Sequence, residues 1–224
     1  MRLSVIIPTL NEESTIADLL GDLAPLREKG HEVILVDGGS MDRTLEIAGP
    51  RVDRVIQSAG GRALQMNAGA RDAGGDILWF LHADTRVPGE AADILARVCT
   101  DGGIWGRFDV SLSGPHWLLR LVSRMMNLRS RLTGVATGDQ GIFVRRETFR
   151  SVSGFPQIPL MEDIALCKTL RRHSPPACIH RPRLQTSSRR WEQQGIIATV
   201  VLMWRLRLAY AFGSRPQDLA KRYR

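Results

Sequence analysis

"GDILWFLHADT" (residues 75–85) places five apolar residues in a row, Ile77 to Leu81, and then stops at His82, Ala83 and Asp84. An apolar run this short, closed by polar residues, reads as a strand buried on both faces. Strand side chains alternate, so His82 and Asp84, two residues apart, point to the same side of the strand's carboxyl end.

The segments on the N-terminal side repeat the design. "LSVIIP" (3–8) and "HEVILVD" (31–37) read as buried strands, and "VDRVIQS" (52–58) as a shorter one. Helical spacing separates them: Ile16, Leu19, Leu20 and Leu23 share one face within 12–26, and "GRALQMNAGARDA" (61–73) is a further helix. "SMDRTLEIA" (40–48) is read as a helix capped by Ser40, and "GEAADILARVC" (89–99) as another. Strands alternating with helices predict an α/β fold with a mostly parallel, Rossmann-like central sheet and helices on both faces. Such sheets bind ligands beyond the carboxyl ends of their strands. Thr9 and Asn11, Asp37, and the His82–Asp84 pair all fall there.

The second half is less regular. "IWGRFDVSLSG" (104–114) and "GIFVRR" (141–146) read as strands, "LMEDIALCKTLRR" (160–172) as a helix, and 190–212 as a final helix. "HWLLRLVSRMMNLRSRL" (116–132) is a basic amphipathic helix with Arg120, Arg124 and Arg131 on one arc and Leu118, Leu121, Val122, Met125 and Leu132 facing away. No linker divides the 224 residues, so a single domain is expected, with a regular first part (1–100), a less regular second part (101–190) and a basic helix and tail (191–224).

Composition narrows the class. With 43% hydrophobic and 24% charged residues, disordered and fibrous chains are excluded. The three cysteines are widely separated, which argues against a disulfide framework and fits a reducing cytoplasm. The amino terminus lacks a secretory leader pattern, and no apolar run reaches the roughly 18 residues of a membrane span. The net charge of +8 is concentrated: residues 181–224 hold ten basic and two acidic side chains, while 1–180 balance. Such an excess suits phosphates, nucleic acid or anionic lipid, or simply a solvated face.

Several segments carry chemistry. Asp37 in "VDGGSMDRT" either caps its own Asp-Gly-Gly-Ser turn or accepts a nucleotide hydroxyl, with the glycines allowing close approach. There is no GxGxxG and no Walker lysine motif, so ordinary dinucleotide and P-loop sites lose support. His82 and Asp84 suit a divalent ion beside a diphosphate. Glu162 and Asp163 open a helix, where acids complement the dipole or where one carboxylate could serve as a general base. Gly138, Asp139 and Gln140 in "TGDQGIF" (137–143) form a polar loop at a site rim, and "SSRRW" (187–191) sets guanidiniums beside an aromatic ring.

In this order the segments resemble the family-2 glycosyltransferases, inverting enzymes of the GT-A nucleotide-diphospho-sugar fold. "SVIIPTLNEE" resembles the family's opening strand, "VDGGSMDRT" its VDDGSxDxT segment, "LHADT" its DxD motif, "MEDIAL" its ED motif and "SSRRW" its QxxRW-like segment, over about residues 1–192. Within the family the chain is most similar to a small bacterial subgroup sharing "HADT", "GDQG" and "SSRRW", some members of which are associated with arsenosugar biosynthesis. The resemblance implies a nucleoside-diphosphate sugar donor held by Pro8, Thr9, Asn11, Glu12, Asp37, Gly38, Arg62, Asn67, His82 and Ala83. It implies Mn²⁺ or Mg²⁺ on Asp84, with His82 as a second candidate ligand, and Asp163 as catalytic base. Gly138, Asp139, Gln140, Glu162, Arg189, Arg190 and Trp191 would serve the acceptor and diphosphate. Two departures stand out: Gly38 replaces the family's second aspartate, and His82 replaces the first aspartate of DxD. The acceptor is expected to be a small molecule or lipid-linked, without nucleic acid. A homodimer and peripheral contact with the inner membrane face are further expectations. Two other readings remain: a nucleotidyltransferase, against which stands the acidic "PTLNEE" after the first strand, and a non-catalytic nucleotide-sugar or lipid-surface binding module.

Overall fold

A computed structural model of the chain describes residues 1–223. Its sheet has eight strands: β1 (Leu3–Thr9), β2 (Glu32–Asp37), β3 (Arg54–Gln57), β4 (Ile77–Phe80), β5 (Thr85–Arg86), β6 (Trp105–Leu112), β7 (Phe143–Arg145) and β8 (Ala177–Thr186). They lie in the order β3-β2-β1-β4-β7-β6-β8-β5. β3, β2, β1 and β4 are mutually parallel, β6 and β8 pair in parallel, and β7 runs antiparallel between β4 and β6. The expected α/β fold with a mostly parallel sheet is present.

The alternation of β1 divides the core. Leu3, Val5 and Ile7 join α1 (Ile16–Glu28) and α4 (Ala91–Thr100) on one face. Ile6, with Ile34 and Val36, meets α3 (Arg62–Asp72) and α7 (Glu162–Leu170) on the other. All four apolar positions read as the helix face of α1 are buried, at 0–2% exposure. Both faces of β2 are covered as well, which is what an unbroken apolar strand requires.

Four details depart from the sequence reading. The helix α2 (Thr44–Ala48) starts four residues late, because the Ser40 hydroxyl bonds Asp37 (2.5 Å) rather than capping a helix. β8 was not expected; His180, Arg181, Pro182 and Arg183 disguise it. Its register with β6 jumps from Phe108↔Ile179 to Val110↔Leu184, so these four residues bulge opposite Asp109. The expected final helix breaks at Gly195 (φ +84°) into α8 (Arg189–Gln194) and α9 (Ile196–Ala211), followed by α10 (Pro216–Tyr223). The intervening α6 is Arg146–Ser151.

The fourth departure concerns α5 (Trp117–Thr133), the basic amphipathic helix. It buries neither its arginine arc nor its apolar arc, but the edge carrying Leu119, Ser123, Asn127 and Ser130. The Asn127 side chain fixes that choice by accepting from Val110 N–H and donating to Val110 C=O, both at 2.9 Å. Beneath it, the fully buried Arg107 and Asp109 form an ion pair that Arg131 completes. Trp117, Leu121, Met125, Leu128 and Leu132 are therefore exposed, beside a second exposed row on α9: Ile197, Val201, Trp204 and Leu208. Among the described residues, no helix is long and apolar enough to cross a membrane.

Candidate active site

A cleft of about 760 Å³ opens beyond the carboxyl ends of β1 and β4 and runs to α5, α7 and α9. The sheet supplies one rim with Pro8, Thr9, Glu12, His82, Ala83 and Asp84. The antiparallel direction of β7 brings its preceding loop, Gly138 and Asp139, to the same end, and the head of α7 adds Glu162 and Asp163. Arg62 enters from the start of α3, while Arg189, Arg190 and Trp191 close the side.

The two carboxylates of α7 are placed differently. Asp163 accepts from Gly138 N–H (2.9 Å) and from Ile164 N–H (2.7 Å), which fixes its plane at the cleft wall. Glu162 is 6% exposed, and burial together with the neighbouring Asp163 charge raises its pKa. His82 Nδ1 lies 3.2 Å from Asp139 Oδ1. Burial would raise Asp139, but the hydrogen bond and charge of His82, with Arg62, hold its pKa below the ordinary value. Gly138 is required here: a Cβ would collide with His82 Nε2. His82 thus bonds Asp139 through Nδ1, with its Nε2 edge packed beside Gly138.

Asp84 accepts no hydrogen bond among the described residues. Burial raises its pKa, and the Asp139 and Glu12 charges push the same way against His82. No group of three potential metal-ligating side chains converges among the described residues. Asp84 thus stands at the cleft rim with its carboxylate oxygens unpaired among the described residues.

Arg189 reaches across to Glu12 at 3.5 Å. Arg190 instead lies 3.7 Å over the Tyr223 ring and donates to the Tyr223 carbonyl at 2.8 Å, tying α8 to α10.

Five expected site residues do not line the cleft. Asp37 accepts from Gly39 N–H, Ser40 N–H and the Ser40 hydroxyl, so its carboxylate holds its own turn. Asn11 braces the same loop by accepting from Met41 N–H at 2.8 Å. Gly38 packs on Gln65, whose Nε2 would sit 3.0 Å from a Cβ there. Asn67 uses both amide atoms on the Phe155 backbone, at 2.8 and 2.9 Å. Gln140 is fully buried, and its side chain accepts from Thr137 N–H at 3.2 Å. Asn11 and Asn67 bond main-chain groups distant in sequence, which spacing does not reveal, while Asp37 and Gln140 bond groups two or three residues away within their own turns.

The cleft residues that escaped the sequence reading include Gln65, Arg129 and Arg207. Gln65 Nε2 donates to the carbonyls of Thr9 and Val36, both at 2.8 Å, and ties the ends of β1 and β2 together. The two arginines were visible only as members of basic runs.

Residues 4–150 match the family model described as Glycosyl transferase family 2. The chain belongs to glycosyl transferase family 2. A Pseudomonas aeruginosa relative, undecaprenyl-phosphate 4-deoxy-4-formamido-L-arabinose transferase, is 32% identical over 155 residues, covering 63% of this chain and 45% of that protein. The chain spans about half the length of the curated relatives it matches. Among solved structures, S. aureus TarS 1-349 with UDP superposes with a TM-score of 0.70 at 20% identity, over 84% of this chain and 60% of that one. The mannosyltransferase PcManGT from Pyrobaculum calidifontis, with GDP-Man and Mn2+, gives 0.62 at 20% identity, over 83% and 56%. These likenesses identify the family's fold, and the matched segment contains β1, β2, β4 and the Gly138–Gln140 loop.

Proposed function

We propose that this chain moves a sugar from a nucleoside-diphosphate sugar to an acceptor hydroxyl, with inversion and with a divalent ion. The observation that carries the reading is a single cleft holding Asp84 at the end of a parallel strand and Asp163 at the head of α7, with Asp163 oriented by Gly138 N–H. Support comes from relatives named as sugar transferases and from neighbours of the same fold bound to UDP or GDP-Man.

In this reading Asp163 accepts the proton of the acceptor hydroxyl. The oxygen lone pair attacks the anomeric carbon from the face opposite the nucleoside diphosphate, and the C–O bond electrons leave with the β-phosphate. Attack from the opposite face inverts the centre. Arg62 and Arg189, on the donor side, face the developing negative charge. Asp84 would hold Mn²⁺ or Mg²⁺, which would supply positive charge to the departing diphosphate.

The test incubates the protein with UDP- and GDP-sugars in Mn²⁺, Mg²⁺ or EDTA and measures the phosphorylated product. Nucleoside diphosphate release that requires an ion is expected. Pyrophosphate release would identify a nucleotidyltransferase, and silence with every donor and acceptor would favour a binding module.

We also assign the exposed apolar rows of α5 and α9, flanked by Arg120, Arg124 and Arg205, to contact with an anionic bilayer. Co-sedimentation with phosphatidylglycerol vesicles, weakened by salt and missing with phosphatidylcholine, is the expected result. Equal recovery with both lipids, or with neither, would remove the assignment.

A further inference from the structure

Three elements meet at one short turn in the cleft wall. His82 follows β4, Gly138–Gln140 is a 3-10 turn leading into β7, and Asp163 opens α7. The turn is rigid within itself. Gln140 N–H donates to Thr137 C=O at 2.9 Å and Gly141 N–H to Gly138 C=O at 3.1 Å, while the Gln140 side chain accepts from Thr137 N–H at 3.2 Å. Gly138 and Asp139 therefore move as one body, and that body has two handles. His82 holds the first, with Nδ1 3.2 Å from Asp139 Oδ1. A carboxylate only accepts, so the ring nitrogen donates. The second handle holds Asp163, whose Oδ2 accepts from Gly138 N–H at 2.9 Å. The other bond to this carboxylate comes from Ile164 N–H, within its own helix. Among the described residues, Gly138 N–H is thus the hydrogen bond that relates the Asp163 side chain to the sheet.

The orientation of the ring gives His82 its task. Its Nε2 edge lies where a Gly138 side chain would stand, so with Nδ1 on Asp139 the polar atoms of the ring lie against the turn. Asp139 is 40% exposed, so the pair is screened and adds little to global stability. Its consequence is local, because a general base acts only when held within reach of the acceptor proton. We propose that His82 is a positioning residue: by holding Asp139 it fixes the 138–140 turn, and through Gly138 N–H it sets where the Asp163 carboxylate stands. The histidine of "LHADT" thereby links the donor-side strand to the base, instead of serving as a ligand to an ion. This inference rests on the transferase reading, in which Asp163 is the base.

The test compares His82→Leu, His82→Asn and His82→Gln in the full chain by sugar transfer, UDP affinity and amide hydrogen exchange across residues 137–141. His82→Leu should lower kcat by about 10–10²-fold with donor KM and UDP affinity unchanged, the cost of a misplaced base. Exchange across 137–141 should rise about fivefold, while Tm falls by no more than about 2–4 °C. An asparagine amide can occupy the Nδ1 position and donate to Asp139, so His82→Asn should restore most of kcat and of the exchange protection. Glutamine places its amide near Nε2 and should restore neither. Rescue by glutamine and not by asparagine would overturn the proposal, because the function would then lie at Nε2. Weaker Mn²⁺ binding to the UDP complex of His82→Asn, measured by electron paramagnetic resonance, would overturn it by making the ring an ion ligand. A raised donor KM with kcat unchanged would do so by placing His82 on the donor. Should His82→Leu fail to fold, the contrast between asparagine and glutamine carries the same decision. If the parent transfers no sugar, the transferase reading fails and exchange alone decides the link. Protection lost with leucine and kept with asparagine would leave it standing, and equal exchange in all variants would remove it.

Discussion

Asp163→Asn is expected to lower transfer by about 10²–10⁴-fold, the range associated with loss of a general base. The substitution keeps shape, and its single amide oxygen can still accept from Gly138 N–H at the expense of the Ile164 N–H bond, so the cleft should retain its form. UDP affinity should therefore change little. A fall in kcat with KM for the donor preserved is the signature of a group acting on the reacting atoms. Transfer by the variant at the parental rate would exclude Asp163 as the base. Glu162 would then be examined next, since burial holds its proton to higher pH than an ordinary glutamate.

The second large effect is on stability. Asp109 is fully buried between Arg107 and Arg131, with Arg107 equally inaccessible. Asp109→Asn leaves the Arg107 cation without its counter-charge, and breaking a buried pair this way costs about 3–5 kcal/mol. For a chain of this size that corresponds to a fall in Tm on the order of 10 °C, measured by thermal or urea unfolding. Replacing both members with Arg107→Met and Asp109→Leu should recover much of the loss, because no fully buried charge is then left and the partly exposed Arg131 can turn to solvent. A single variant as stable as the parent would show that the pair contributes nothing. The pH dependence has a defined sign. Burial alone would raise Asp109, but its two arginine partners hold the pKa below the ordinary 3.8. Its contribution is complete above that unfolded-state value and is lost as pH falls through the lower folded-state value.

The first hundred residues were legible because their periodicity and their burial agree. Leu3, Val5 and Ile7 alternate with Ile6 in the sequence and in the two cores. The polar residues at the strand ends follow from the sheet, and Thr9, His82 and Asp84 duly line the cleft. Asp37 shows the limit of that logic: it stands at the right strand end, but its oxygens serve the turn. The second half was harder because polar contacts override pattern. Asn127 and the buried Arg107–Asp109 pair choose the buried edge of α5, and the bulge facing Asp109 puts charged residues and a proline inside β8. Arg129 and Arg207 sit among other arginines in sequence, and only the fold shows that they line the cleft.

The reversed strand β7 joins β4 to β6 through pairings such as Trp79↔Phe143 and Gly106↔Phe143. The same strand carries the 138–140 loop to the cleft, where Asp139 meets His82 and Gly138 N–H anchors Asp163. Loosening β7 would therefore remove both contacts at once, while the pairing of β1 with β2 and of β2 with β3 does not depend on it.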